Sequence, residues 1–292
     1  MRYGEGMYGP ATSDIRLRKV TAPEIRARKA AGPKITMITA YDYTMARLVD
    51  AAGVDMILVG DSLGMIVQGE PHTLGVTLDE MCYHGRCVSR GVQRAHLVGD
   101  MPFMSYQLSP TQALESAGRL VQQGRYESVK LEGGVVVAEH VARIVAAGIP
   151  VVGHVGLTPQ SVHALGGFRV QGRGEEAEIR IIADARALEE AGAFCIVLEA
   201  VPPCLAKRIT EAVSVPTIGI GAGVDCDGQV LVCTDLLGLG LAPPPKFTKR
   251  FAELGAAAVA AFEAYVQEVR AGSFPGPEHT YKANSNAGGT TA

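Results

Sequence analysis

Leu-Val-Gly-Asp occurs at 58–61 and again at 97–100. Each copy closes a short apolar run, MILVGD over 56–61 and AHLVGD over 95–100. A short run that is apolar on both faces reads as a parallel strand buried on both sides. The aspartate that ends each run then stands at the carboxyl end of a strand.

Working outward, the same pattern recurs along the chain. Apolar runs stand at 35–40, 56–59, 95–98, 128–131, 150–153, 195–198, 217–220 and 229–233. Between them lie segments with helical spacing. Ile181, Ala185 and Leu188 fall three or four apart, and Phe247, Phe251, Leu254, Ala258, Phe262, Val266 and Val269 mark one helical face near the end. Ala-Gly pairs at 52–53, 147–148 and 191–192 precede strands, as expected of a glycine that ends a helix. Eight strands alternating with helices predict a (β/α)8 barrel, a fold that takes about 250 residues in one domain. A doubly wound open sheet is the competing layout. The barrel is expected over residues 21–281, between poorly ordered tails over 1–20 and 282–292.

The 292 residues are 47% hydrophobic and 20% charged, with a net charge of -3. That balance gives no electrostatic reason to expect nucleic acid or an anionic membrane as partner. No apolar run approaches the roughly 20 residues of a membrane helix, and the N-terminus lacks a signal-peptide core. A cytoplasmic protein is expected. The six cysteines form no C-x-x-C, so free, mostly buried thiols are expected rather than a zinc site or disulfides.

The placement of the acids carries the chemistry. Asp61 and Asp100 end the two LVGD copies, Glu132 ends VKLE (129–132) and Glu199 ends IVLE (196–199). In a barrel, four strand-end carboxylates point into one mouth, on the face where active sites are built. Clustered carboxylates repel unless a cation or shared protons relieve them, and hard oxygen donors suit Mg²⁺. The competing reading makes each acid the N-cap or a first-turn residue of the helix that follows. Lys130 stands two residues before Glu132, hence on the same face of the strand. Its partner is either a substrate carboxylate or a neighbouring acid. His154 ends the fifth strand, as a neighbour of the acids or as a hydrogen-bonded core residue. Two long connections, 64–77 and 162–176, are candidate lids. Gly219, Gly221 and Gly223 miss the dinucleotide-binding spacing, and 166–174 lacks the Lys-Ser/Thr ending of a P-loop.

VGDSLGM (59–65), VTLDEMCYHGRCVSRG (76–91), DMPFMSY (100–106), VKLEGG (129–134), GHVGLTPQSV (153–162), GGFRVQGRG (166–174), VLEAVP (197–202) and IGIGAG (218–223) resemble the motifs of the ketopantoate hydroxymethyltransferase family, in family order. The resemblance runs from about residue 20 to about residue 281. It implies a TIM barrel of the phosphoenolpyruvate mutase/isocitrate lyase kind. It also implies hydroxymethyl transfer from 5,10-methylenetetrahydrofolate to 3-methyl-2-oxobutanoate, giving 2-dehydropantoate through an enolate that Mg²⁺ stabilises. By motif, Asp61, Asp100 and Glu132 match the Mg²⁺ positions, and Asp61, Ser62, Asp100 and Lys130 match those that bind the oxo acid. Glu199 matches the proton acceptor. The resemblance further implies a homodecamer. Rival readings are a C–C lyase or mutase of the same superfamily and a non-catalytic barrel. Such lyases commonly carry a lid-loop cysteine, which 64–77 and 162–176 lack.

Overall fold

In the computed structural model, which describes residues 18–240 and 243–281, the eight strands are β1 (Ile35–Thr39), β2 (Met56–Val59), β3 (His96–Asp100), β4 (Ser128–Glu132), β5 (Val151–Gly156), β6 (Cys195–Glu199), β7 (Thr217–Ile220) and β8 (Gly228–Leu231). Each pairs in parallel with the next, and β8 returns to β1, so the sheet closes on itself. Closure in sequence order excludes the doubly wound sheet, which has two open edges. The chain divides into two compact units, residues 1–233 with the barrel and residues 234–292. The expected tails fall outside the described residues over 1–17 and 282–292. Just before the barrel, Lys19 pairs with Glu127 at 2.9 Å and Val20 is buried.

Because strand side chains alternate between faces, the apolar residues of the strands divide between two cores. Ile57, Val59, Leu97, Val129 and Leu131 join a cluster with helix residues such as Val49, Met81 and Ile144. Met37, Met56, Leu58, Val98, Val152, Val197, Ile218 and Val230 form the second cluster and fill the bore. Val20 and Ile25 join that second cluster. The N–H of Val20 donates to the carbonyl of Arg94, just ahead of β3. The helix Ala22–Ala31 therefore closes the bore at the end where strands begin.

After the long 64–77 connection, the helix Leu78–Ser89 is started by a capping box. The Thr77 N–H donates to Glu80 and the Glu80 N–H to the Thr77 hydroxyl, 2.7 and 3.3 Å. In the second unit, one expectation needs correction. Phe247 and Phe251 precede the helix, which spans Leu254–Ala271. Pro243, Pro244 and Pro245 interrupt the chain shortly before, and proline fixes φ and lacks a donor. No helix among the described residues is long and apolar enough to cross a membrane. The six cysteines are free; Cys204 is exposed, Cys87 half-buried and the other four buried.

Candidate active site

The parity that sends Val98, Val152 and Val197 into the bore sends other side chains there too. Counting by twos, β3 points Asp100 inward, β4 points Lys130 and Glu132, β5 points His154 and β6 points Glu199. Strand register then sets who meets whom. Asp100 lies opposite Lys130, and Glu132 opposite His154. The lower bore is mostly apolar, with His96 and Ser128 bonded to each other at 2.9 Å within it, whereas the upper bore is lined by ionisable groups. Asp61 arrives differently. It lies two residues beyond β2, and its N–H donates to Asp100 Oδ2 at 3.0 Å.

These groups form one connected set. The Lys130 ammonium sits 2.6 Å from Asp100 Oδ1 and 3.2 Å from His154 Nδ1. An ammonium only donates, so His154 Nδ1 accepts and its proton is on Nε2. Nε2 lies 3.2 Å from Glu199 Oε2, beside that carboxylate but not aligned for a hydrogen bond to it. Glu132 Oε1 is 3.6 Å from His154 Nδ1. Asp61, Asp100, Lys130, Glu132 and His154 are all buried, while Glu199 is half-buried at the rim. Ser62 bonds the Tyr41 hydroxyl at 2.8 Å. Gly60 lies beneath Ser62, where an added Cβ would stand 2.6 Å from Ser62 Oγ and 3.4 Å from Asp100 Oδ2.

None of the four acids caps a helix. The N-cap positions after β2, β3, β4 and β6 are Ser62, Ser109, Val137 and Pro202. For Lys130 the ion pair with a neighbouring acid is present, and the set holds four carboxylates against that one ammonium. Burial and this surplus shift the pKa values of the set. Burial, then the Asp100 charge, pushes Asp61 up to about 7. Burial and the Asp61 charge raise Glu132 well above the usual carboxylate range. Burial alone disfavours the Lys130 ammonium, but Asp100, Glu132 and Asp61 outweigh it and raise that pKa. Burial and Lys130 lower His154, which keeps it neutral.

Buried, surplus, all-oxygen negative charge is what a hard divalent cation relieves. Among the described residues, no three His, Cys, Asp or Glu side chains stand where they could jointly hold a metal ion. Mg²⁺ does not require three, since it takes one or two carboxylates and completes its shell with water and substrate oxygens. The residues present fit such an ion.

Three polar members of the site were not found by reading the sequence. Gln160, on the turn Pro159–Ser161 after β5, donates to Asp61 Oδ2 at 2.9 Å. Tyr106 donates its hydroxyl to Gln160 Oε1 at 2.8 Å, and its oxygen accepts the Glu132 N–H at 3.1 Å. Tyr41 holds Ser62. The motifs DMPFMSY and GHVGLTPQSV contain Tyr106 and Gln160, but nothing in their spacing marks them as partners of the acids.

A model of the family described as ketopantoate hydroxymethyltransferase matches residues 19–277. A protein of Moorella thermoacetica named 3-methyl-2-oxobutanoate hydroxymethyltransferase is 58% identical over 264 residues, covering 90% of this chain and 98% of its own. One of the same name from Syntrophotalea carbinolica is 53% identical over 264 residues, covering 90% and 99%. Among solved structures, a phosphonopyruvate hydrolase superposes with a TM-score of 0.59 at 14% identity, covering 91% and 92% of the two chains. A 2,3-dimethylmalate lyase, a member of the PEP mutase/isocitrate lyase superfamily, superposes at 0.57 and 18% identity, covering 88% and 92%. At those identities the structural likeness speaks for the fold alone.

Proposed function

The chain belongs to the ketopantoate hydroxymethyltransferase family and is an enzyme, and from that premise we propose that it transfers a hydroxymethyl group from 5,10-methylenetetrahydrofolate to 3-methyl-2-oxobutanoate, giving 2-dehydropantoate. One observation carries this reading. A buried ammonium, a surplus of carboxylates and a half-exposed carboxylate meet in one mouth, linked by a neutral histidine.

Each group has a task that its surroundings support. The Lys130 ammonium, shared with Asp100, neutralises the carboxylate of the oxo acid. The hydroxyl of Ser62, fixed by Tyr41, is a further contact for that anion. Glu199, half-buried at the rim with His154 Nε2 3.2 Å away, accepts the proton from C3 of the oxo acid. Asp61, Asp100 and Glu132 are the residues that hold Mg²⁺, one or two of them directly. A bound Mg²⁺ would polarise the oxo group and make the C3 proton easier to remove. C3 then bonds to the folate methylene carbon, water supplies the hydroxyl oxygen and tetrahydrofolate leaves. The chain acts in the cytoplasm as a homodecamer, a mass that light scattering measures.

Glu199→Gln tests the reading. The variant keeps size and some hydrogen bonding but cannot take the proton. Without folate, it should still bind the oxo acid yet exchange the C3 proton with solvent deuterium about 10²–10⁴-fold more slowly. Exchange at the native rate would remove Glu199 from proton abstraction. Folate-independent cleavage of the oxo acid would favour a lyase instead.

A further inference from the structure

Gln160 spends every hydrogen-bonding valence of its side chain inside the site. Its Nε2 donates to Asp61 Oδ2 and to the Met101 carbonyl, both at 2.9 Å. Its Oε1 accepts from the Tyr106 hydroxyl at 2.8 Å and from Gln107 Nε2 at 3.0 Å. A carbonyl only accepts, so the Met101 contact fixes which end of the amide is nitrogen. The same nitrogen is thereby committed to Asp61. The backbone N–H of Gln160 is also occupied, donating to Glu132 Oε2 at 3.0 Å. One buried residue thus holds a carboxylate that follows β2 and another that ends β4.

We propose that Gln160 is a positioning residue for the cation, fixing which oxygen of Asp61 and of Glu132 stays open to it. This rests on the reading of these carboxylates as Mg²⁺-facing groups. With Oδ2 of Asp61 and Oε2 of Glu132 engaged, Oδ1 and Oε1 are the oxygens left to face a metal or its waters. The chemistry suits the task. A lysine at this position would cancel the negative charge that attracts the ion, and an acid would add repulsion to a cluster already in surplus. A neutral amide orients the carboxylates without altering their charge. The contacts to Met101 and Tyr106 anchor the amide to the chain beyond β3, so its reach to Asp61 is preset. Residues that orient metal-facing carboxylates in this way typically matter about 10–100-fold for metal affinity.

The experiment is Mn²⁺ binding by electron paramagnetic resonance, on full-length protein without substrate, with unfolding midpoints measured alongside. Gln160→Met is nearly isosteric and removes both side-chain donors; its Kd for Mn²⁺ should rise about tenfold. Gln160→Asn keeps an amide and the backbone N–H but falls one methylene short of Asp61, and covers the case in which Gln160→Met fails to fold. It should weaken binding to a similar degree. Gln107→Leu removes only a donor to Oε1 and should leave Kd within about twofold, well below the range for a lost carboxylate contact. Native affinity in a folded Gln160 variant overturns the proposal, as does an equal loss in Gln107→Leu, which would mark general loosening. Wild-type protein that binds no Mn²⁺ overturns the cation reading beneath it.

Discussion

The two Leu-Val-Gly-Asp copies are identical in sequence and opposite in facing. In the first, Leu58 fills the bore and Val59 packs against the helices; in the second, Leu97 packs against the helices and Val98 fills the bore. Register accounts for the inversion, because Leu58 lies opposite Val98 rather than opposite Leu97. A one-residue offset exchanges the faces of every side chain. Asp100 therefore points inward as the last residue of β3 and meets Lys130 at 2.6 Å. Asp61 would point at the helices if β2 ran on. Instead β2 ends at Val59, and the turn through Gly60 brings Asp61 across to Asp100. One aspartate is an anchored ion; the other is the surplus charge.

The largest effect should come from neutralising the anchored member. Asp100→Asn leaves the buried Lys130 ammonium without its closest counter-ion, and breaking such a pair costs about 3 kcal/mol or more. Urea unfolding in the absence of divalent cations measures it; a loss below about 1 kcal/mol would mean that Asp61 and Glu132 replace Asp100 freely. Asp61→Asn should act in the opposite direction. Its folded-state pKa, raised to about 7, lies above the unfolded value, so between roughly pH 4 and 7 the folded chain holds the extra proton. The stability this contributes is complete below about pH 4 and is lost as pH rises through 7. Asp61→Asn should flatten that slope and raise cation-free stability near neutral pH by as much as a few kcal/mol. A variant with the wild-type slope would show that Asp61 is compensated in some other way.

The glycines sharpen the same contrast at smaller scale. A Cβ at Gly99 would stand 2.7 Å from atoms of the buried Tyr126 ring, whose hydroxyl donates to the Met81 carbonyl at 2.7 Å. Gly99→Ala should cost about 1–3 kcal/mol from overpacking. At Gly60 the nearest atom is the end of the Ser62 side chain, which can rotate away. Gly60→Ala should cost only about 0.5–1 kcal/mol, the value of the hydrogen bond to Tyr41. Equal losses by thermal unfolding would contradict the opposite facing of the two copies.

What could be read from sequence follows from this comparison. Strand period placed Lys130 and Glu132 on one face, and the recurring apolar runs gave eight strands within a residue or two of their observed ends, except that β5 runs on to Gly156, so His154 lies within that strand rather than at its end. The runs at 95–98, 128–131 and 195–198 stop short of Asp100, Glu132 and Glu199, which prove to be the final residues of their strands. The apolar pattern stops before a strand-end acid, whereas hydrogen bonding carries the strand into the mouth. The difference between Asp61 and Asp100 was invisible, because identical tetrapeptides carry no record of their register. Gln160, Tyr106 and Tyr41 were missed for another reason. They lie beyond strand ends, where the path of the chain has no period, and their polar groups matter only through the partners that folding brings to them.

Among the described residues, the packed lower bore, covered by the helix Ala22–Ala31 through Ile25, leaves the barrel to be entered from its mouth. Lys130 sits two residues deeper on its strand than Glu132, and Glu199 stands at the rim. Traffic through one mouth is a stack. On the proposed roles, what settles against Lys130 should bind before, and leave after, anything that covers Glu199, an order that product-inhibition kinetics measures.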